Sequence, residues 1–578
     1  MTEFRVVGGE APRVDAEGKL RGRTLYAGDL SFPGMLAGKL LRAPHAHARI
    51  LEVDTLGARG MEGVHAVLTG KDLPVRYGIL PVSQDETALA CERVRYAGEP
   101  VAAVAARDEE TAEEALRRIH VRYETLPPVL TLEDALREDA PRLHENSKLP
   151  ANVHRMASLE FGDAEEGFRR AAHVREDWVF YGGSTHAALE PHCSVGLLEN
   201  GRLVLHSSNQ APHYLHRALA QVLGMPEHSI RVIAPAVGGG FGGKLDPFPQ
   251  DFCAAKLAMM TGRPVKIALS REEVFYTHRG RHPALMRLRT GFLKDGRITA
   301  MHLRAMLDGG AYGSFGAACL YYVGALLPAT YKIPAYRFEA MRLYTNKPPC
   351  GPKRGHGTPQ PRLALEIQLD KAAEDLGLSP AALREVNFLP PHSMTVNHMK
   401  VTSSELPRCL REVVWRSGYE GRRARLPESE GIGVAVGAYL SGAALPIYFN
   451  DMPHSAARIE LHRSGRATVY SGHTEIGQGS DTMAASVAAE LLGLPLEAVR
   501  VVRADSDLTP VDLGSYSSRV TMMVGNAVRE AALRLRHILL ETAARETGLP
   551  LESLRVEEAV IAGGNPEKRL PLTEAIAK

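Results

Sequence analysis

The sequence is poor in cysteine, and the six it has among 578 residues (Cys91, Cys193, Cys253, Cys319, Cys350 and Cys409) are scattered, with no C-x-x-C. That spacing argues against a disulfide framework, a zinc site or an iron–sulfur site, and suits reduced thiols in the cytoplasm. No apolar run reaches about 18 residues, so no helical membrane span is expected. The amino-terminal MTEFRVVGGEAP lacks the apolar core of a secretory signal. Charge of one sign is lacking too. Lys plus Arg is 69 against 67 for Asp plus Glu, which favours neither a nucleic-acid nor a membrane-surface partner. The remaining composition, 44% hydrophobic and 24% charged, is that of a globular protein long enough for three or more domains.

What the chain does have is glycine in one place. In 231–246, RVIAPAVGGGFGGKLD, Gly238, Gly239, Gly240, Gly242 and Gly243 surround Phe241, after a strand-like run over 230–237. Each glycine costs about 0.5–1 kcal/mol of chain entropy, so this density predicts a ligand approached closely by backbone. Two familiar motifs match only in part. A P-loop needs Ser or Thr after Lys244, and position 245 is Leu. Gly238, Gly240 and Gly243 spell a dinucleotide fingerprint, but its helix must begin inside the motif. Here Pro247 and Pro249 delay the helical pattern to about Gln250. An NAD-dependent Rossmann dehydrogenase stays as the alternative, with 264–273 as its second strand.

Taken in order, residues 1–20 read as an extended arm and 21–130 as a small α/β domain. Within the latter, VAAVAA is a buried strand and Glu109 and Glu110 open an amphipathic helix. His45 and His47 stand two apart without a third ligand and read as a surface turn. Residues 131–150, charged and then Pro-containing, read as a linker. A first large domain is expected over 151–404, with a helix from about Pro212 to Leu223, a hairpin turning at Lys294-Asp295-Gly296, and helices over 361–376 and from Pro380. A second is expected over 405–578.

The two large domains repeat. RLVLHSSNQAPHYLHRALAQVLGMPEHSIRV (202–232) and RATVYSGHTEIGQGSDTMAASVAAELLGLPLEAVRV (466–501) both run strand, glutamine, helix, then L-G-x-P-x-x-x-[I/V]-R-V. Such a repeat predicts two like-folded domains. It places Gln210 and Gln478, the latter between Gly477 and Gly479, at equivalent points, as if gripping a ligand from both sides. Further on, Gly514, Ser515, Ser517 and Ser518 precede Arg519 and a long helix expected over 524–547. Ser and Gly before a helix suit an anion.

Gln210 with GGGFGGK (238–244), the CGPKRGHGTPQ stretch (350–360) and the segments GRTLYAGDL, RAPHAHARI and VRYAGEPVAAV resemble the molybdenum-binding large subunit of the xanthine dehydrogenase and aldehyde oxidase family. The similarity is greatest to its hydroxybenzoyl-CoA reductase branch. The resemblance implies an α+β fold: a hammerhead-like α/β domain, then two pseudo-repeated mixed α/β molybdopterin-binding domains, the second incomplete. It implies a molybdenum–molybdopterin cofactor, with the cytosine dinucleotide among its forms, the metal held by pterin dithiolene and no protein metal ligand. By the same resemblance Gly240, Phe241, Gly242, Gly243, Arg354, Gly477, Gln478, Gly479, Ser517, Ser518 and Arg519 contact cofactor. Gln210 and Arg354 serve catalysis, while His186 and Glu190 in THAALEPH are structural.

The activity implied is that of an oxidoreductase acting on an aromatic, N-heterocyclic or aldehyde substrate, with water-derived oxygen transfer and hydride transfer to molybdenum. Iron–sulfur and FAD centres would sit on partner subunits, in a dimer of heterotrimers. Leu245, where purine-oxidising members carry glutamate, argues against xanthine. Gly355, where carbon monoxide dehydrogenases carry cysteine, argues against carbon monoxide. Lys353 departs from the aromatic residue usual before the arginine. No G-x-G-E occurs after residue 500, so the family's general-base glutamate is absent. The expectation is a chain inactive alone: either a truncated gene product, or one half of a split subunit completed by a separate chain that carries the glutamate. LPLTEAIAK at the end leaves only five residues after Thr573, too few for a stable helix. A non-catalytic molybdopterin-binding paralogue is the other alternative.

Overall fold

The run VAAVAA becomes the strand Pro100–Ala106, buried at every position. A strand apolar on both faces belongs inside a sheet, and Leu36–Arg42 and Val64–Thr69 flank it antiparallel. Leu36–Arg42 also pairs in parallel with Val265–Ala268. The result is one seven-stranded sheet in the order Ile230–Ile233, Arg202–Ser207, Cys193–Glu199, Val265–Ala268, Leu36–Arg42, Pro100–Ala106, Val64–Thr69. The opening segment and the 193–268 region thus share a core. The helix Pro249–Thr261 lays Phe252, Cys253, Leu257 and Ala258 onto it.

This computed structural model describes residues 4–277, 279–442, 454–564 and 568–578. The first three residues of the expected arm, and 443–453 and 565–567 of the expected last domain, lie outside them. The chain forms two compact units, each discontinuous in sequence. One comprises Met1–Leu126, His186–His278 and Ser441–Lys578; the other comprises Pro127–Thr185 and Arg279–Leu440. The second unit is built on a five-stranded sheet in the order Val153–Phe161, Tyr336–Leu343, Ile298–Asp308, Ala284–Phe292, His173–Tyr181. The helices Ala317–Ala325 and Pro359–Asp375 pack against that sheet. The hairpin turns over 294–296, with Gly296 at φ +85°. Among the described residues no helix is long and apolar enough to cross a membrane.

The repeat is real in three dimensions, and it has a third copy that the sequence reading missed. The helices Pro212–Leu223, Ser480–Leu492 and Val520–Thr547 each end at a left-handed glycine (Gly224, Gly493 and Gly548, φ +62°, +64° and +70°). An extended proline, a single 3-10 turn and a strand follow each time. In the first two copies the new strand lies parallel to the one before the helix. In the third, Leu554–Glu557 pairs antiparallel with Val560–Gly563 instead.

Several expectations need correction. The strand from Ile230 stops at Ile233 and does not reach Val237. The arm is anchored, because the N–H groups of Arg5, Val6 and Val7 converge on the Glu490 carboxylate and a short helix forms over Ala16–Leu20. The stretch read as a linker carries the helix Leu132–Leu136, which packs with Val129, Leu143 and Leu343. The last residues do form a helix, Leu572–Ala577. Burial of Leu572 and Ala575 in the carboxy-terminal core supplies what so short a helix lacks alone.

Candidate functional site

The glycine stretch of the first unit is a series of tight turns fastened from three sides. Gln210, 1% exposed, accepts from the N–H of Gly242 (3.0 Å) and of Lys244 (3.2 Å) at Oε1. Its own N–H donates to the Lys244 carbonyl at 2.7 Å. Glu190 accepts from the Gly238 N–H at 2.7 Å and pairs with the buried Lys244 ammonium at 2.6 Å. Burial pulls Lys244 below its ordinary pKa against the attraction of Glu190. His192 Nε2 donates to the Gly243 carbonyl at 2.8 Å. There is no room for side chains on the inner glycines. A Cβ on Gly243 would lie 2.7 Å from His186, and one on Gly240 2.8 Å from the Gln210 amide carbon. Phe241 is held at φ +54° and stands 40% exposed. A strained, outward aromatic on a clamped loop marks a functional surface.

Gln210 also reaches across to the carboxy-terminal region. Its Nε2 donates to the Ser515 carbonyl at 2.7 Å, and its carbonyl accepts from the Ser515 N–H at 2.9 Å. Ser515 in turn exchanges hydrogen bonds with Thr474, through Oγ to the Thr474 carbonyl at 2.6 Å and from the Thr474 N–H at 3.1 Å. The loops over 238–244, 474–480 and 512–519 are therefore one hydrogen-bonded assembly within a single unit.

The second glutamine does not mirror the first. Gln478 is exposed and folds onto its own turn, accepting from the Ile476 N–H and donating to the Thr474 carbonyl. The buried group is Glu475, 2% exposed. Its carboxylate accepts from the N–H groups of Gly477, Gly479 and Asp481, from the Ser480 hydroxyl and from Arg13. Glu475 thus occupies the start of the helix Ser480–Leu492 as an internal anion. Gly477 and Gly479 shape this turn at φ +105° and +89°, with both N–H groups spent on Glu475 and the Gly477 carbonyl accepting from Arg13 at 2.8 Å.

Ser517 and Ser518 are consecutive left-handed residues, each at φ +49°, with Ser518 exposed. Arg519 faces inward. Its guanidinium, fully buried, binds Asp512 (3.0 Å), the Gly514 carbonyl (2.7 Å), the Ser455 hydroxyl (2.8 Å) and the His454 carbonyl. The helix that follows starts at Val520, four residues before the expected position.

Arg354 lies in the other unit, exposed in the turn before the helix Pro359–Asp375. Gly355 and Gly357 bend that turn at φ +76° and +80°. Arg281 supports it from beneath, donating to the carbonyls of Arg354 and Gly355. A cavity of about 560 Å³, bordered by Tyr181, Thr358, Pro359 and Gly437, opens beside the helix start.

Residues 21–127 match the "Aldehyde oxidase and xanthine dehydrogenase, a/b hammerhead domain" family. Residues 143–388 and 412–578 match two "Molybdopterin cofactor-binding domain" families. The putative xanthine dehydrogenase molybdenum-binding subunit XdhA of Escherichia coli K12 is 33% identical over 549 residues, 92% of this chain and 72% of that protein. The nicotinate dehydrogenase large molybdopterin subunit of Eubacterium barkeri is 37% identical over 388 residues, 67% of this chain and 90% of that protein. The crystal structure of quinoline 2-oxidoreductase from Pseudomonas putida 86 superposes with a TM-score of 0.92 at 28% identity, covering 99% of this chain and 76% of that one. The chain belongs to the xanthine dehydrogenase and aldehyde oxidase family.

It is the molybdopterin-binding large subunit of an oxidoreductase of this type. The expected architecture, a hammerhead domain followed by two molybdopterin-binding domains, holds. The nicotinamide alternative fails on local geometry. Turns fill the chain from Phe241 to Gly243, and the next helix starts only at Pro249, so no helix N-terminus begins inside the glycine motif. A molybdopterin fits the donor set that is present. It is an acceptor-rich ring system, and the second N–H of the Gln210 amide and the exposed Ser518 hydroxyl stand on three fastened turns of one assembly. The residues that sequence reasoning overlooked are the fasteners: Lys244, His192, Thr474, Glu475 and Asp512. Only Lys244 carried a signal, since a lysine that cannot serve a P-loop still ended the motif. Among the described residues no cluster of three or more His, Cys, Asp or Glu is arranged to hold a metal ion.

Proposed function

We propose that this chain binds the molybdenum cofactor on the assembly of loops 238–244, 474–480 and 512–519 and oxidises an aromatic, N-heterocyclic or aldehyde substrate with water-derived oxygen. The observation that carries this reading is the chain of hydrogen bonds from the glycine loop through Gln210 and Ser515 to Thr474. When bound, the cofactor supplies the two-electron chemistry. The protein's part is placement. A primary amide has two N–H donors; Gln210 spends one on Ser515, and the second is assigned to the cofactor. Phe241 and the backbone of Gly240, Gly242 and Gly243 form the wall on one side, and Gly477, Gln478 and Gly479 form it on another. Ser517 and Ser518 are assigned to the phosphate end, where a cytosine dinucleotide would extend, with Arg519 fixing their loop. Arg354 is assigned to the substrate.

Iron–sulfur and FAD subunits are the proposed partners, since electrons must leave and this chain's cysteines are unpaired and scattered. A cytoplasmic dimer of heterotrimers belongs to the same reading, as does the functional division into 21–130, 151–404 and 405–578. Placement in the hydroxybenzoyl-CoA reductase branch rests on the glycine motif with Gln210 alone. The test is co-expression with candidate iron–sulfur and flavin subunits, followed by measurement of molybdenum, pterin and CMP content and of turnover with an artificial acceptor. Stoichiometric molybdenum with turnover supports the proposal. Molybdenum without turnover in any assembly would favour a cofactor-holding paralogue.

A further inference from the structure

The glycine loop has a cation beneath it that is shut off from solvent. Lys244 is 1% exposed, and its Nζ lies 2.6 Å from Glu190 Oε2. The same oxygen accepts from the Gly238 N–H at 2.7 Å, and the Glu190 N–H donates to the Gly238 carbonyl at 3.1 Å. The two segments lie so close that a Cβ on Gly238 would come within 2.6 Å of the Glu190 Cβ. Lys244 is also bound to Gln210 twice through its backbone. Its N–H donates to the amide Oε1 at 3.2 Å, and its carbonyl accepts from the Gln210 N–H at 2.7 Å. One residue therefore joins the first glycine of the loop, through Glu190, to the amide that is tied to Ser515.

Folding alone does not account for this pair. A buried ion pair is a weak source of stability. Here Glu190 takes both donors on one oxygen and leaves Oε1 buried without a hydrogen-bond partner. Of the other groups acting on Lys244, Arg271 repels it, with its guanidinium turned to the carbonyls of Ala188 and Leu189. Cys193 is held as a neutral thiol, since burial pushes its pKa up to about 12. A charge in so dry a place is felt further than one at the surface, where water and salt screen it.

We propose that Lys244 and Glu190 are a positioning pair for the molybdenum centre. The pair fixes Gly238 and the Gln210 amide relative to each other, and its two charges set how readily the centre accepts electrons, the ammonium favouring the reduced form and the carboxylate opposing it. This rests on the reading that loop 238–244 and the second N–H of Gln210 face the cofactor. The ammonium is spent on Glu190, so it acts through the loop and through its field, not by contact with the reacting atoms.

The experiment has two arms. In the first, molybdenum content is measured in the assembled enzyme, and the midpoint potential of the metal is followed by electron paramagnetic resonance in a redox titration. Lys244→Met is expected to lower the potential, Glu190→Gln to raise it, and the double variant to return close to the wild type, as Lys244→Arg does. A merely structural pair would damage the loop from either side alike, and most in the double variant. The second arm needs no cofactor. Hydrogen exchange of backbone 236–244 in the full chain is expected to quicken about tenfold or more in Lys244→Met and in Glu190→Gln, and to stay within about threefold of the wild type in Lys244→Arg. Shifts of one sign in both single variants, a double variant further from the wild type than either, or unchanged exchange in both overturns the proposal. Should Lys244→Met be isolated without molybdenum, its recovery in Lys244→Arg supports the proposal and its loss from both overturns it. A molybdenum-containing, active enzyme whose potential ignores all these changes would leave the function standing and sink only this inference. A chain that holds no molybdenum in any assembly would sink the function and the tuning with it, while the exchange arm would still decide whether the pair fastens the loop.

Discussion

Gln210 and Ser515, 305 residues apart in sequence, are joined by a 2.7 Å hydrogen bond from amide to carbonyl. The same amide accepts from the backbone of Gly242 and Lys244. Replacing Gln210 by Ala therefore strands two buried N–H groups and one carbonyl, each worth about 1–3 kcal/mol when left unsatisfied. Gln210→Ala is expected to lower molybdenum content and thermal midpoint together with activity. Gln210→Glu should do nearly the same, because a carboxylate would face the Ser515 carbonyl with no donor. Metal analysis and calorimetry of purified variants check this. Full molybdenum content with activity alone lost would show that the amide serves chemistry and not the loops.

Gly240 tests the other side of the same contact. A Cβ there would run into the Gln210 side-chain amide. Gly240→Ala must push Gln210 off Gly242 and Lys244, and a deficit in cofactor of at least about fivefold is expected from the loss of about 1–2 kcal/mol of loop fastening. Gly182→Ala, where a Cβ would meet nothing within 4 Å, should leave cofactor content unchanged. Equal occupancy in the two variants would place the ligand elsewhere.

Local signals were legible in the sequence, and distant partnerships were not. Proline at the start of Pro212–Leu223, the glycine turn at 296, and the small apolar run of Pro100–Ala106 act within a few residues, and each produced the expected element. The repeat was readable because both copies carry the same terminating chemistry. Its third copy, Gly548-Leu549-Pro550 onward, has the same letters, but its strand follows a long helix and pairs with a new partner. Gln478 looked equivalent to Gln210 because both stand two residues before a helix. The difference is set by the number of residues between strand and helix, which lets Glu475 fold back onto the helix start. Nothing local marks a glutamate for that role. The final helix was missed for the same reason, since its stability comes from the core beneath Leu572 and Ala575.

Glu475 itself yields a prediction. Its buried carboxylate satisfies three backbone N–H groups at the start of Ser480–Leu492 and one arm of Arg13. Glu475→Gln keeps the shape but replaces one acceptor oxygen with a donor aimed at other donors, and removes the charge that balances the helix start. A loss of about 2–4 kcal/mol in unfolding free energy is expected. Increased proteolysis between Gly472 and Gly479 should accompany it. Denaturant titration and limited proteolysis read the two effects, and unchanged behaviour in both would show that Glu475 is dispensable.

The pH dependence of stability should carry the mark of His213. This residue opens the helix after Gln210 and packs against Gly472, whose added Cβ would lie 2.6 Å from the imidazole. Burial lowers its pKa from the ordinary 6.5 to about 4, against the opposing pull of Asp512 and Asp505, with His216 adding to the depression. In the unfolded chain the imidazole takes up a proton near pH 6.5. In the folded chain it does so only near pH 4. Between those values the unfolded state binds more protons, so stability is full above about pH 6.5 and is lost as pH falls toward 4. A shift of that size corresponds to something on the order of 3 kcal/mol once the pH is below both values. Other buried imidazoles, His154 and His282, are depressed as well and add their own acid sensitivity in the second unit. The comparison must therefore be differential. His213→Leu is expected to lower stability at pH 7.5, because the branched side chain fits the slot poorly, and to flatten the decline between pH 7 and 4.5 relative to the wild type. Denaturant unfolding of both proteins across that range measures the difference. Parallel curves would mean that His213 is protonated as readily when folded as when unfolded, and that the slot beneath the Gln210–Ser515 tie admits charge.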